Sequence, residues 1–320
     1  MAPGGNRQNI SSGILLILVA MTLVPVMDGI AKMLSARYSV VEIVWARYFF
    51  HLLFLLPMVF AKYSVRDMLP EKPILQVIRG GLLLVSTGLF FAALAVMPLA
   101  DALALVFISP LIVTALSPLL LGESVGPRRW VAVIVGFVGA LIIIRPGGAD
   151  IGSGTIMAAS AGTVYAFYLI ATRKLSGTAP PLITLMYTAL LGGVVMSLIV
   201  PFFWVRPNLN DVAMMMAMGG IAALGHYFLI KAVELAPVSI LAPFGYSEIV
   251  MATLVGYVLF GDFPDSWTWV GIAVIVASGI YISVRENQRK DHLATDAIIV
   301  AQAQEGVIIT PETKTGRKAR

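Results

Sequence analysis

The chain of 320 residues is 59% hydrophobic and only 12% charged, with a net charge of +5 and no cysteine. Soluble domains carry about 45–50% apolar and about 25% charged residues, so a soluble enzyme or binding module is excluded, as are disulfides, thiolate metal sites and a cysteine nucleophile. The positive charge sits in loops and the tail, a pattern of membrane orientation and not of nucleic-acid binding.

A helix crosses a bilayer in about 20 residues. After a polar N-terminal segment, 1–12, the first apolar run covers 13–34 and shows no signal-peptide cleavage pattern, so it is read as a spanning helix. Asp28 and Lys32 lie four apart within it, share a face and are expected to pair. With Pro25 and Gly29 alongside, they mark a candidate gating or coupling point. The second run, 41–60, places Arg47 inside the membrane with His51 one turn on. Intramembrane ionisable groups are candidates for function. Arg47 is expected to pair with Glu248 or with an anionic substrate group, and His51 is either a site residue or a satisfied interior histidine.

The third run, 74–96, opens on Arg79, which can snorkel to the surface, and carries Phe90 and Phe91. The fourth, 99–121, has Asp101 just after Pro98, where a carboxylate can cap the positive helix end. The fifth covers 128–144. The sixth, 152–172, holds Tyr165 and Tyr168 on similar faces, and the seventh covers 182–204. The eighth, 212–234, ends with His226, Lys231 and Glu234, the last two expected as an interfacial pair.

The ninth run, 238–260, contains "APFGYSEIV", with Glu248 near its middle. An ionised carboxylate there costs about 2.5–3.5 kcal/mol on insertion scales. Pro243 and Gly245 precede it and can interrupt the helix, which suits backbone lining a cavity. Glu248 is therefore expected to face a cavity beside Tyr246, taking substrate or a coupling proton. The alternative is a structural ion pair or a neutral, hydrogen-bonded side chain between helices. The tenth run covers 267–284, and the tail, 286–320, is polar with one short apolar stretch and is expected to be disordered, with an interfacial helix as the alternative.

Lys and Arg favour the face shared by the termini, with Arg7, Lys62, Arg66, Arg128, Arg129 and Arg173 among them, against Lys32, Arg37, Arg145 and Arg206 opposite. This places both ends in the cytoplasm. The decisive feature is internal. Pro98, Gly122, Glu123 and Trp130 match Pro237, Gly261, Asp262 and Trp269, always 139 positions apart. Gly13, Lys32, Leu34 and Ser35 match Gly154, Arg173, Leu175 and Ser176, always 141 apart. The chain is thus five helices twice, 13–145 and 152–285, and an odd number per copy inverts the second. Inverted repeats are a frequent design of secondary transporters.

With "WARYFF", "ISPLIVTALSPLLLGES" and "GYSEIVMATLVGYVLFGDF", the chain from Gly13 to Arg285 resembles the drug/metabolite transporter superfamily, EamA branch. The resemblance implies an all-α polytopic membrane protein of the bacterial inner membrane that moves a small molecule. "VIRGGLLL" and "APFGYSEIV" are similar to bacterial uptake proteins for S-adenosylmethionine, and riboflavin uptake proteins belong to the same branch. Riboflavin is the first substrate expectation, S-adenosylmethionine the second, and export of amino acids or drugs the third. The expected substrate site is Glu248, Tyr246, Arg47, Tyr168, Tyr165 and His51. No metal, cofactor or nucleic acid is implied, and the oligomeric expectation is a monomer or homodimer in the bilayer. No G-x-x-x-x-G-K-[ST] loop occurs, so ATP does not drive it directly. A membrane-embedded enzyme would need a metal or nucleophile constellation, which the sequence does not offer.

Overall fold

The computed structural model describes residues 4–64, 68–123, 125–145 and 152–304. The first half comprises α1 (Gly4–Leu34), α2 (Val40–Lys62), α3 (Pro73–Leu94), α4 (Leu99–Val106), α5 (Ser109–Leu120) and α6 (Pro127–Ile144). The second comprises α7 (Ser153–Lys174), α8 (Pro181–Ile199), α9 (Leu209–Leu235), α10 (Val238–Gly245), α11 (Ser247–Phe260) and α12 (Ser266–Gln304). Ten crossings are long and apolar enough to span a membrane among the described residues. Their outer faces carry large apolar side chains such as Leu119 and Phe202, more than 80% exposed, a surface suited to lipid.

Local chemistry sets the helix ends. Ser39 accepts from the Glu42 N–H and starts α2, and Asn208 accepts from the Asp211 N–H and starts α9. Pro73, Pro127 and Pro181 occupy first turns, where no N–H is needed. The fourth crossing is two helices, α4 and α5, broken at Phe107; the ninth is likewise α10 and α11, broken at Tyr246. The interruption expected near Pro243 and Gly245 is therefore present, and it has a counterpart in the other half.

The repeat extends to hydrogen bonds. Gly122 (φ 69°) and Gly261 (φ 72°) end α5 and α11 in the left-handed region that favours glycine. Just after them, the Glu123 N–H donates to the Ser117 carbonyl (3.3 Å) and the Asp262 N–H to the Gly256 carbonyl (3.2 Å). Both bonds reach back six residues to close the helix end, and they stand 139 positions apart.

The halves interlock. α1 packs on α9, α10 and α11, while its counterpart α7 packs on α3, α4 and α5; α2 meets α8, and α6 meets α12. A Cβ on Gly13 would come 2.7 Å from that of Ala236, and one on Gly154 would come 3.2 Å from that of Met97. Ala236 and Met97 stand just before the matched prolines, Pro237 and Pro98. Each repeat thus seats its first helix against the connection of the other, with small residues permitting the approach.

The tail backbone remains helical through Gln304, continuous with α12, so over 286–304 it follows the helical alternative and not the disordered one. Residues 305–320 lie outside the described residues.

Candidate functional site

Between the repeats lies a cavity of about 640 Å³, within the 300–1,000 Å³ range of small-molecule sites. α1 contributes Asp28, α2 contributes Arg47, and α3 contributes Thr87, Phe90 and Phe91. From the second half come Tyr165 and Tyr168 on α7, His226 on α9, Tyr246 at the break and Glu248 in the first turn of α11. The helix break matters here: it places Glu248 at a helix N-terminus, where backbone N–H dipoles favour a negative group.

Six of the eight expected site residues meet in this cavity: Glu248, Tyr246, Arg47, Tyr165, Tyr168 and Asp28. The tyrosines Tyr165 and Tyr168 stack with centroids 5.2 Å apart, and Tyr246 packs on Phe107 across the space. His51 is not on the wall. It is 3% exposed and lies against the ring of His226 (5.3 Å), which takes the wall position instead, and its Nε2 has no hydrogen-bond partner. His51 shares the Arg47 face of α2 but lies about 6 Å further along the axis, where the His226 ring stands against it.

Lys32 is also elsewhere. It donates to Asp262 Oδ2 at 2.8 Å and to the Met97 carbonyl at 2.9 Å, and its ammonium sits over Phe260. The expected pairing with Asp28 is therefore corrected: Asp28 turns into the cavity, and an aspartate from the other repeat takes the lysine. The expected Arg47–Glu248 pair is corrected as well. Among the described residues neither side chain makes an ion pair. Arg47 Nη1 donates to Thr87 at 3.3 Å, its guanidinium lies over Tyr48 (4.9 Å), and Nε has no partner. A buried donor without a partner beside a cavity is a group waiting for one.

Arg79 departs most from its reading. It does not snorkel; it is 5% exposed. Its guanidinium donates to the Tyr168 hydroxyl (2.7 Å), Thr172 Oγ1 (2.7 Å), Thr188 Oγ1 and the Thr184 carbonyl. The rigid fork thereby holds Tyr168 on the cavity wall. Asp101 occupies the first turn of α4 as expected, but its Oδ1 is buried without a hydrogen-bond partner, so it adds no capping bond there. Lys231 and Glu234 form the expected pair at 2.7 Å. Away from the cavity, Arg145 bonds both oxygens of Asp265 and, with the Thr268 N–H, pulls its carboxyl down to about 2.

Sequence reasoning missed Phe107, Thr87 and the clasp on Tyr168. Phe107 was findable, because it lies 139 positions before Tyr246.

Comparison with known proteins adds the following. Residues 11–145 and 152–284 each match the EamA-like transporter family. The chain is 26% identical over 277 residues to the S-adenosylmethionine uptake transporter of Rickettsia prowazekii, covering 87% of this chain and 94% of that one. It is 29% identical over 273 residues to the riboflavin transporter of Rhizobium johnstonii, covering 85% and 90%. A riboflavin transporter of Vibrio cholerae is 32% identical over 193 residues, covering 60% and 65%. One crystal structure superposes with a TM-score of 0.62 over 87% of this chain and 98% of its own, at 20% identity, a likeness of fold.

Proposed function

Because the chain belongs to the EamA-like transporter family, matched once by each half, we propose that it is a secondary carrier that takes up a small organic metabolite by alternating access. It works in the bacterial inner membrane with both termini in the cytoplasm, on the strength of the Lys and Arg asymmetry. One observation carries the reading: a metabolite-sized cavity built by both repeats, into which Asp28, Glu248 and Arg47 project without pairing to one another. Charged groups left unpaired inside a membrane protein are costly unless a ligand or water satisfies them.

The charge set favours S-adenosylmethionine. That molecule has two cationic centres, one carboxylate and a flat purine. Asp28 and Glu248 suit the cations, Arg47 suits the carboxylate, and the Tyr165–Tyr168 stack suits the purine. A second reading, riboflavin, draws on the same aromatic walls and on the relatives that bear that name. Riboflavin is neutral, so it supplies no cation to the two carboxylates.

The test is counterflow in proteoliposomes preloaded with unlabelled compound. Trans-stimulated entry of labelled S-adenosylmethionine, blocked weakly by riboflavin, is expected. Trans-stimulation by riboflavin alone would reverse the order of the two, and no counterflow with either would overturn the uptake reading for both. Reporter fusions after Arg285 should be active only in their cytoplasmic form; a periplasm-active fusion would overturn the orientation.

A further inference from the structure

Two ion pairs in this protein are images of each other under exchange of the repeats. Lys32 ends the first crossing of repeat one and pairs with Asp262 of repeat two at 2.8 Å. Arg173 ends the first crossing of repeat two and pairs with Glu123 of repeat one at 2.6 Å. Lys32 and Arg173 are 141 positions apart, and Glu123 and Asp262 are 139 apart, the two spacings of the repeat. Each carboxylate follows a left-handed glycine and is fixed by the same backbone bond to the helix before it. The chain path puts the two pairs on opposite faces. Lys32 follows one crossing from the N-terminus, whereas Glu123 follows four and Arg173 follows six.

The pairing is selective. Two further ion pairs that join the repeats are Arg37–Asp211 and Arg145–Asp265. Neither has an image. The positions matching Arg37 and Asp211 are Thr178 and Lys72, and those matching Arg145 and Asp265 are Val284 and Gly126, so neither couple has the opposite charges of an ion pair. Those pairs belong to one face only. The cavity lies between the two matched pairs, and each pair ties the first crossing of one repeat to the broken crossing of the other, the elements that carry Asp28, Tyr168, Phe107 and Glu248.

We propose that Lys32–Asp262 and Glu123–Arg173 are the two gates of the carrier, and that each must separate for the cavity to open on its own face. Both are closed in this structure. An inverted repeat opens alternately when the halves exchange shapes, and that exchange carries one pair onto the other. A gate on one face alone would bias the protein to the opposite state; matched gates balance it. Side chains of the four residues are 15–35% exposed, so each pair keeps contact with water, which weakens an ion pair and lets it break within a transport cycle. The proposal rests on the alternating-access reading and not on the identity of the substrate.

The absence of native cysteine permits a direct test. A single reporter, Val24→Cys, lies on the cavity wall. Its labelling by a membrane-impermeant maleimide is measured in vesicles of each orientation, with no substrate present. Asp262→Asn should raise labelling from the face away from the termini about fivefold, the population shift expected from losing a partly exposed pair. Glu123→Gln should do the same from the face of the termini. Exchanging the charges, Lys32→Asp with Asp262→Lys or Arg173→Glu with Glu123→Arg, should restore the starting rates. Where a single variant is not recovered folded, the exchanged pair decides: normal labelling on both faces supports the gate, and raised labelling overturns it. Equal rates in all variants, or a shift to the same face from both single variants, would also overturn it. Labelling that shifts as expected in a protein with no uptake of the proposed metabolites would keep the gates and refute only the substrate.

Discussion

Phe107 and Tyr246 stand 139 positions apart in the sequence and face each other in the fold, ring centroids 5.2 Å apart at 33°. Each occupies the break in the broken crossing of its repeat. The pseudo-twofold relation between the halves therefore passes through an aromatic contact at the edge of the central cavity. The position is chemically asymmetric, since only Tyr246 carries a hydroxyl.

This contact gives the first prediction. Tyr246→Ala removes a packed ring worth about 1 kcal/mol beyond its buried area, so half-saturation for uptake should rise about fivefold. Gly279 packs so close to the Tyr246 hydroxyl that any Cβ there would collide with it. Gly279→Ala should lower both uptake and melting temperature, and Tyr246→Phe in the same chain should recover part of each. Saturation curves and thermal melts of the three variants and the double variant check this. Gly279→Ala with wild-type behaviour would mean that the ring has room to move.

Glu248 makes no ion pair and lies on the cavity wall. Glu248→Gln keeps its size and loses its charge. Melting temperature should stay within a few degrees of wild type, while uptake of a cationic metabolite falls at least tenfold, about the 1.5–3 kcal/mol of a charged hydrogen bond. A large loss of stability, relieved by adding Arg47→Gln, would instead mark a structural pair.

Arg79 holds Tyr168 and three threonine groups at once. Arg79→Lys keeps the charge but cannot reproduce a planar fork, and leaves buried acceptors without donors. A destabilisation of about 2–4 kcal/mol is expected, together with weaker substrate affinity. Thr172→Val, which removes one acceptor at the edge of the clasp, should cost less. Denaturation in detergent ranks the two, and equal losses would show that the fork is not what matters.

The Arg145–Asp265 pair yields a pH prediction. The Asp265 carboxyl is lowered from an ordinary 3.8 to about 2 by its bond from Arg145. A depressed carboxyl contributes its stability above the unfolded value and loses it as pH falls through the folded value. The difference in melting temperature between wild type and Asp265→Asn should therefore be constant from about pH 5 to 8 and shrink from about pH 4 towards 2. A difference that changes between pH 6 and 8 would assign the effect to another group.

The fold was legible because hydrophobic length reports crossings and because whole motifs recur at fixed spacings. Pro98 and Pro237, or Gly122 and Gly261, needed only to be read side by side. The Glu248 environment was legible for a related reason: Pro243 and Gly245 announce a break in the helix. What failed were inferences from nearest neighbours. Lys32 looked committed to Asp28 at four residues' distance, but its partner arrives from 230 residues away. Arg79 looked free to reach water because its buried acceptors, spread over α7 and α8, are not local in sequence. His51 shares a helix face with Arg47, but His226, distant in sequence, packs on its ring and takes the wall position.

The interlocking of the halves has a consequence for biogenesis. α1 leaves the ribosome with its contact surface for α9 exposed, and that partner is complete only at Leu235. Until then the Gly13 face of α1 lacks its contact, and the Lys32 ammonium, which has the Met97 carbonyl within its own repeat, waits longer still for Asp262. Each repeat leaves its packing surface for the other uncovered, so a chain severed between Arg145 and Gly152 should yield two fragments that are degraded when made separately and assemble when made together.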